Sequence, residues 1–155
     1  MLDSSHNHNP ANEAALKLLN KKTLTTGELR AALEKKDLSS HQIEDALQSM
    51  HHLGYLNDEA IATRLLEDTV RKKRGWLWLR KQLVEKEIPN EINEKIQRQS
   101  QQTAYERANS SLQNKLRYKS LSRNQAFRFL LNRGFEIELV DDIIRAHFGE
   151  EFCLE

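Results

Sequence analysis

The chain is 155 residues long, with 24 Lys and Arg against 23 Asp and Glu and a formal net charge of +1, a balance that argues neither for nor against a nucleic-acid partner. Twenty-three Leu against three Val, with only five Gly and two Pro, describe helices and exclude a β-sheet, whose strands want β-branched residues and whose turns want Gly. Cys153 stands alone, which excludes an intramolecular disulfide and a thiolate metal cluster; the Met-Leu-Asp start has no signal character and no run is long enough to span a bilayer, so a soluble, cytosolic protein is expected.

The polar segment over residues 1–11, with His6, His8 and Pro10, reads as a disordered arm. Helical spacing begins at Ala15, Leu16 and Leu19. Thr25 with Glu28 three residues on suits a capping box, opening a helix with Leu29 and Leu33 in its core; a turn ending at Leu38 leads to a third helix with Ile43 and Leu47. Gly54 suits a left-handed C-cap, Tyr55 and Leu56 are expected to pack in the joint that follows, and Asn57 or Asp58 to cap the next helix. That helix carries Ala62, Leu65, Leu66 and Val70. Gly75 then opens one with Leu79 and Leu83, Ile88 lies past its turn, and Ile92 and Ile96 mark another. The last three helices are carried by Ala104, Ala108, Leu112 and Leu116, by Ala126 and Leu130 after the Ser122/Gln125 cap, and by Leu139 or Val140 with Ile143 or Ile144 after Gly134 and Phe135.

These pieces repeat. LEKKDL from Leu33, LVEKEI from Leu83 and LLNRGF from Leu130 are spaced 50 and 47 residues apart, each with a basic residue at the fourth position (Lys36, Lys86, Arg133) and a large apolar residue at the sixth. The expectation is an all-α, elongated tandem array of three three-helix, helix-turn-helix-like units, about nine helices in all, at 12–54, 55–101 and 102–149. An acidic tail, 150–155, closes the chain.

Parts for catalysis are missing. The glycines never cluster into a phosphate-cradling loop, His51 and His52 point to different helix faces, and His41 with Asp45 offers at most two metal ligands, so neither enzyme, cofactor nor metal is expected. The chemistry-bearing features are two basic stretches. One is RKKRGWLWLRK, with Arg71, Lys72, Lys73, Arg74, Arg80 and Lys81: six bases in eleven residues around Trp76 and Trp78. Trp76 shares a face with Leu79 and Leu83 and is expected to pack in a seam between units, whereas Trp78 lies off that face and divides evenly between such a seam and an exposed position that stacks on a base or anchors a partner. The other runs from Arg107 to Phe135 without a single Asp or Glu and contains Lys115, Arg117, Tyr118, Lys119, Arg123, Arg128 and Arg133. Such a run points to phosphate or an acidic partner, bound with a steep salt dependence and no evident base-reading element.

Taken in order and spacing, GYLND at Gly54 followed by Ala60-Ile61-Ala62, the RKKRG segment leading into LRKQLVEKEI from Leu79, and FLLNRGF from Phe129 resemble the RecX family of regulators of the RecA recombinase. The chain departs from the family's habit at Asn57, where a second Asp is usual, and at Glu87 and Asp37, where a Gly kept here as Gly134 is usual; these changes touch turn geometry. The resemblance implies a non-enzymatic modulator that binds RecA directly, in the groove of its filament on single-stranded DNA. It would restrain filament growth, strand exchange, ATP hydrolysis and stimulated repressor cleavage, and so act in recombination, DNA repair and the SOS response, as a monomer that touches single-stranded DNA weakly or within the filament. Competing readings are an autonomous DNA-binding helical repeat and a helical scaffold for an unrelated protein.

Overall fold

In the computed structural model, which describes residues 8–150, the chain forms nine α-helices and no strand among the described residues: α1 Pro10–Lys21, α2 Thr26–Glu34, α3 Ser40–His52, α4 Asp58–Arg71, α5 Trp76–Glu85, α6 Asn90–Gln102, α7 Ala104–Tyr118, α8 Arg123–Asn132 and α9 Ile137–Phe148. Residues 1–7 of the expected arm and residues 151–155 of the expected tail, Cys153 included, lie outside the described residues. The helices sort into two compact units. The first takes the chain up to Ile61 together with Lys86–Ile88; the second takes Ala62–Glu85 and the chain from Pro89 onward.

In the first unit, α1 begins inside the segment expected to be an arm. The Asn9 carboxamide accepts from the Ala11 amide at 3.0 Å and donates to the Gln42 carbonyl at 2.9 Å, and Pro10 fills the first helical position, where its missing N–H costs nothing. Asn9 is therefore a cap tied to α3, a contact that composition does not reveal. The core joins Ala11 and Ala15 of α1, Leu29 and Leu33 of α2, and Ile43, Ala46, Leu47 and Met50 of α3, with Leu38 half-buried beside it. Two capping boxes start its helices: Thr25/Glu28 and Ser39/Gln42.

Past α3, Gly54 takes φ +80, and the Tyr55 and Leu56 amides both return to the Met50 carbonyl, at 2.9 and 3.3 Å. This turn drives Leu56 into the core and leaves Tyr55 50% exposed, which corrects the expectation that both residues pack. Asn57 caps α4, its side-chain oxygen accepting from the Ala60 amide at 3.0 Å. Asp58 caps a different helix. Buried itself, it accepts from the Thr26 amide of α2 at 2.8 Å. Thr25 in turn donates through Oγ1 to the Lys86 carbonyl at 2.6 Å, and the Lys86 ammonium lies 3.4 Å from Glu28. The first turn of α2 is thus seated on the Lys86–Ile88 turn, where Ile88 is buried. A Cβ on Gly27 would fall 2.5 Å from that of Glu87, which itself takes φ +54.

In the second unit Ala108 and Leu112 of α7, Ala126 and Leu130 of α8, Phe135, and Val140, Ile143 and Ile144 of α9 form one cluster, and Trp76, Leu79, Leu83 and Ile96 are buried as well. The Ser122/Gln125 capping box opens α8. Leu83→Ala should cost about 2–5 kcal/mol as a buried large-to-small change, and Asp58→Ala about 1–2 kcal/mol through the lost cap of α2, both read from urea denaturation. An Asp58→Ala protein as stable as the wild type would remove the cross-helix cap from this description.

Candidate functional site

The turn between α4 and α5, Lys72–Gly75, is held on every side. Its amides return to α4: Lys72 N–H donates to Asp68 at 2.9 Å, Lys73 to Val70 at 3.0 Å and Arg74 to the buried Thr69 at 2.9 Å. Lys73 takes φ +51, the left-handed conformation of a Schellman helix end, a place more often filled by glycine. Two arginines hold the turn from outside. The Arg133 guanidinium donates to the carbonyls of Lys72 and Lys73, the latter at 3.0 Å, and Arg107 Nε donates to the carbonyl of Arg74 at 3.1 Å.

The helix that follows is docked just as closely. Gly75 N–H donates to the Arg133 carbonyl and Leu77 N–H to the Gly134 carbonyl, both at 2.9 Å, so the first turn of α5 satisfies its free donors on the turn that ends α8. A Cβ on Gly75 would collide with the Gly134 carbonyl, and one on Gly134, at φ +85, would lie 2.6 Å from the Trp78 amide nitrogen. Both glycines are required by that approach.

Arg107 is 5% exposed on α7. Its remaining donors reach the Ser100 carbonyl at 3.0 Å, Ser100 Oγ at 3.0 Å and Thr103 Oγ1 at 2.6 Å, with no carboxylate partner among the described residues. Burial holds its pKa below the ordinary arginine value; Arg133 is lowered for the same reason first, then by repulsion from Arg74. Arginine is so basic that both stay charged at neutral pH. Sequence reading places Arg107 only at the edge of a basic stretch. The available signal is its register with Ala104, Ala108 and Ser111, small residues that leave room for a guanidinium on the inner face of α7.

Side chains tie the two basic stretches together. Lys73 Nζ donates to Ser110 of α7 at 2.8 Å, and Lys72 and Arg74 each lie 5.6 Å from the centre of the Trp78 ring. Arg133 and Lys115 lie 5.6 and 5.7 Å from the centre of the Phe129 ring. Lys115, Phe129, Arg133, the Lys72–Arg74 turn and Trp78 therefore form one continuous surface within the second unit. Phe129 is its unheralded member.

Individual expectations change accordingly. Trp76 is buried, and Trp78 is half-buried among its own cations. Arg71 pairs with Asp68, Lys81 with Glu85 at 3.9 Å, and Arg123 donates to the Gly149 carbonyl. Lys73, Arg74 and Arg133 are half-buried, because the turn uses them to hold its own shape. Arg80, Arg117, Lys119 and Arg128 are exposed, and the side chains of these four have no polar partner among the described residues; Tyr118 is 89% exposed. No three His, Cys, Asp or Glu converge as metal ligands among the described residues, and no helix there is long and apolar enough to cross a membrane.

Arg133→Ala should destabilise the protein by about 1–3 kcal/mol by leaving part-buried carbonyls unsatisfied, and Arg133→Lys should not restore the loss, because an ammonium lacks the planar fork. Arg128→Ala should stay within about 0.5 kcal/mol of wild type. Urea denaturation reads all three, and equal effects at 128 and 133 would contradict the clamp.

No family model matches the chain. Among curated proteins it is 32% identical over 142 residues to the regulatory protein RecX of Chlorobaculum tepidum, covering 88% of each chain. It is 24% identical over 139 residues to that of Legionella pneumophila, 86% of this chain and 91% of the relative, and 25% identical over 146 residues to that of Clostridium perfringens, 90% and 69%. Among solved structures, the crystal structure of RecX from Lactobacillus salivarius superposes with a TM-score of 0.73 at 21% identity, covering 88% of this chain and 94% of that one. A second crystal structure of a regulatory protein RecX gives 0.65 at 18%, covering 86% and 70%.

Proposed function

The chain belongs to the RecX family of regulatory proteins, and from that premise we propose that it binds RecA and the RecA filament on single-stranded DNA and restrains filament growth, and with it strand exchange and ATP hydrolysis. It does so as a binding protein of the cytoplasm rather than a catalyst, modulating recombination and the SOS response. Beyond family membership, the observation that carries this reading is the merging of the two basic stretches into one surface around a rigid turn. Arg107 and Arg133 hold that turn through neutral carbonyls, so their charge is uncompensated and adds to the field of the exposed Lys72, Lys115, Arg117, Lys119 and Arg128. Such a surface favours a polyanion or an acidic protein face without reading bases. The reading of 12–54, 55–101 and 102–149 as tandem units belongs to the same proposal, since several contacts along one filament raise the effective concentration of each next contact.

The test is single-stranded-DNA-dependent ATP hydrolysis by RecA, titrated with this protein from far below to equal concentration at two salt strengths. Inhibition at substoichiometric levels is expected. The variant Arg117→Glu/Lys119→Glu/Arg128→Glu should keep its helical circular dichroism and inhibit about tenfold more weakly. Absence of inhibition, with salt-sensitive binding to naked DNA, would make the protein an autonomous DNA binder; absence of both would leave a helical scaffold.

A further inference from the structure

Helix α5 carries a second surface that the clamped turn does not use. Trp76, Leu79 and Leu83 fill its buried side. On the opposite side Leu77 is 45% and Val84 62% exposed, and at 100° per residue these two lie on one line along the helix with Arg80 and Lys81 on either side of it. The line spans about 10 Å. Two exposed aliphatic side chains in one line with two exposed cations beside them make an apolar strip with a basic rim.

We propose that this face docks a protein segment of RecA bearing two apolar side chains about 10 Å apart with carboxylates beside them; the inference rests on the reading of the protein as a RecA regulator and assigns one surface to the protein half of the filament. Charge selects the occupant: Arg80 has no polar side-chain partner among the described residues, and Lys81 meets only Glu85 at 3.9 Å. Chemistry selects protein over nucleic acid. Aliphatic side chains offer no stacking platform for bases, and the helix's one part-exposed aromatic, Trp78, is engaged by Lys72 and Arg74. A protein partner takes apolar anchors within a charged rim as the ordinary composition of an interface. The filament then meets two chemistries on one helical unit, phosphate-seeking cations around Lys72 and Lys115 and an apolar, carboxylate-seeking face on α5.

The deciding experiment compares the wild type, Leu77→Ser/Val84→Ser and Arg80→Glu/Lys81→Glu in two assays: inhibition of RecA ATP hydrolysis on single-stranded DNA, and binding to a fluorescent oligothymidylate without RecA. All four positions are exposed, so both variants should keep the wild-type urea midpoint. Should one variant fail to fold, the other carries the test. The expected result is a rise of about tenfold in the concentration for half-inhibition by Leu77→Ser/Val84→Ser, with oligothymidylate binding changed less than about twofold. Inhibition unchanged by both variants overturns the proposal. Parallel loss of inhibition and oligothymidylate binding in Leu77→Ser/Val84→Ser also overturns it, assigning the face to nucleic acid. A wild-type protein that does not inhibit RecA removes the functional reading and this inference together, whereas inhibition by the wild type with unaffected variants removes this inference alone.

Discussion

Three consecutive peptide carbonyls, those of Lys72, Lys73 and Arg74, are held by two guanidinium groups, and the second compact unit is organised around that clamp. The contact joins α7 and α8 to the turn between α4 and α5, and the Arg133 and Gly134 carbonyls accept the first donors of α5 in return. Guanidinium bound to neutral carbonyls fixes geometry without cancelling charge. A carboxylate paired with either guanidinium would have cancelled that charge. The arginines that build the surface therefore also charge it, and they grip the helix end at which Lys73 is left-handed.

The same joint occurs in the first unit with different chemistry. There Thr25 Oγ1 donates to the Lys86 carbonyl, where Gly75 N–H donates to the Arg133 carbonyl in the second. Thr25 and Gly75 are both helix openers, and Lys86 and Arg133 occupy the same position in the repeated LVEKEI and LLNRGF segments. In each case the opening of one helix is seated on the turn that ends another, which meets two sets of unsatisfied backbone groups at once. Both receiving turns contain a left-handed residue: Glu87 at φ +54 and Gly134 at φ +85. A glycine suits both places, and at the first Gly27 leaves the room that the Glu87 side chain occupies.

Local features were legible from the residues, and tertiary ones were not. Capping boxes at Thr25 and Ser122 and the buried Leu29, Leu33, Leu79, Leu83 and Leu130 follow from spacing along a single helix, which the chain writes out directly. Asp58 shows the limit: an acid at a helix start is the usual sign of a cap, yet its oxygen serves α2 rather than its own helix. Basic residues show it more sharply. Lys119 and Arg133 are alike in a charge count, but one is exposed and the other is half-buried against two carbonyls, a difference set by residues 60 positions away. Arg107 was hidden for the same reason, and Tyr55 stayed exposed because the Gly54 turn could bury only one of two adjacent large residues.

In the proposed function, the clamped basic surface of the second unit meets the filament. Hydrogen exchange followed by mass spectrometry, on this protein free and bound to RecA on single-stranded DNA, tests it most directly. Slowed exchange on binding is expected in peptides that cover Arg71–Lys81 and Lys115–Arg128. Slowing confined to peptides before Ile61, with those two regions unchanged, would contradict it.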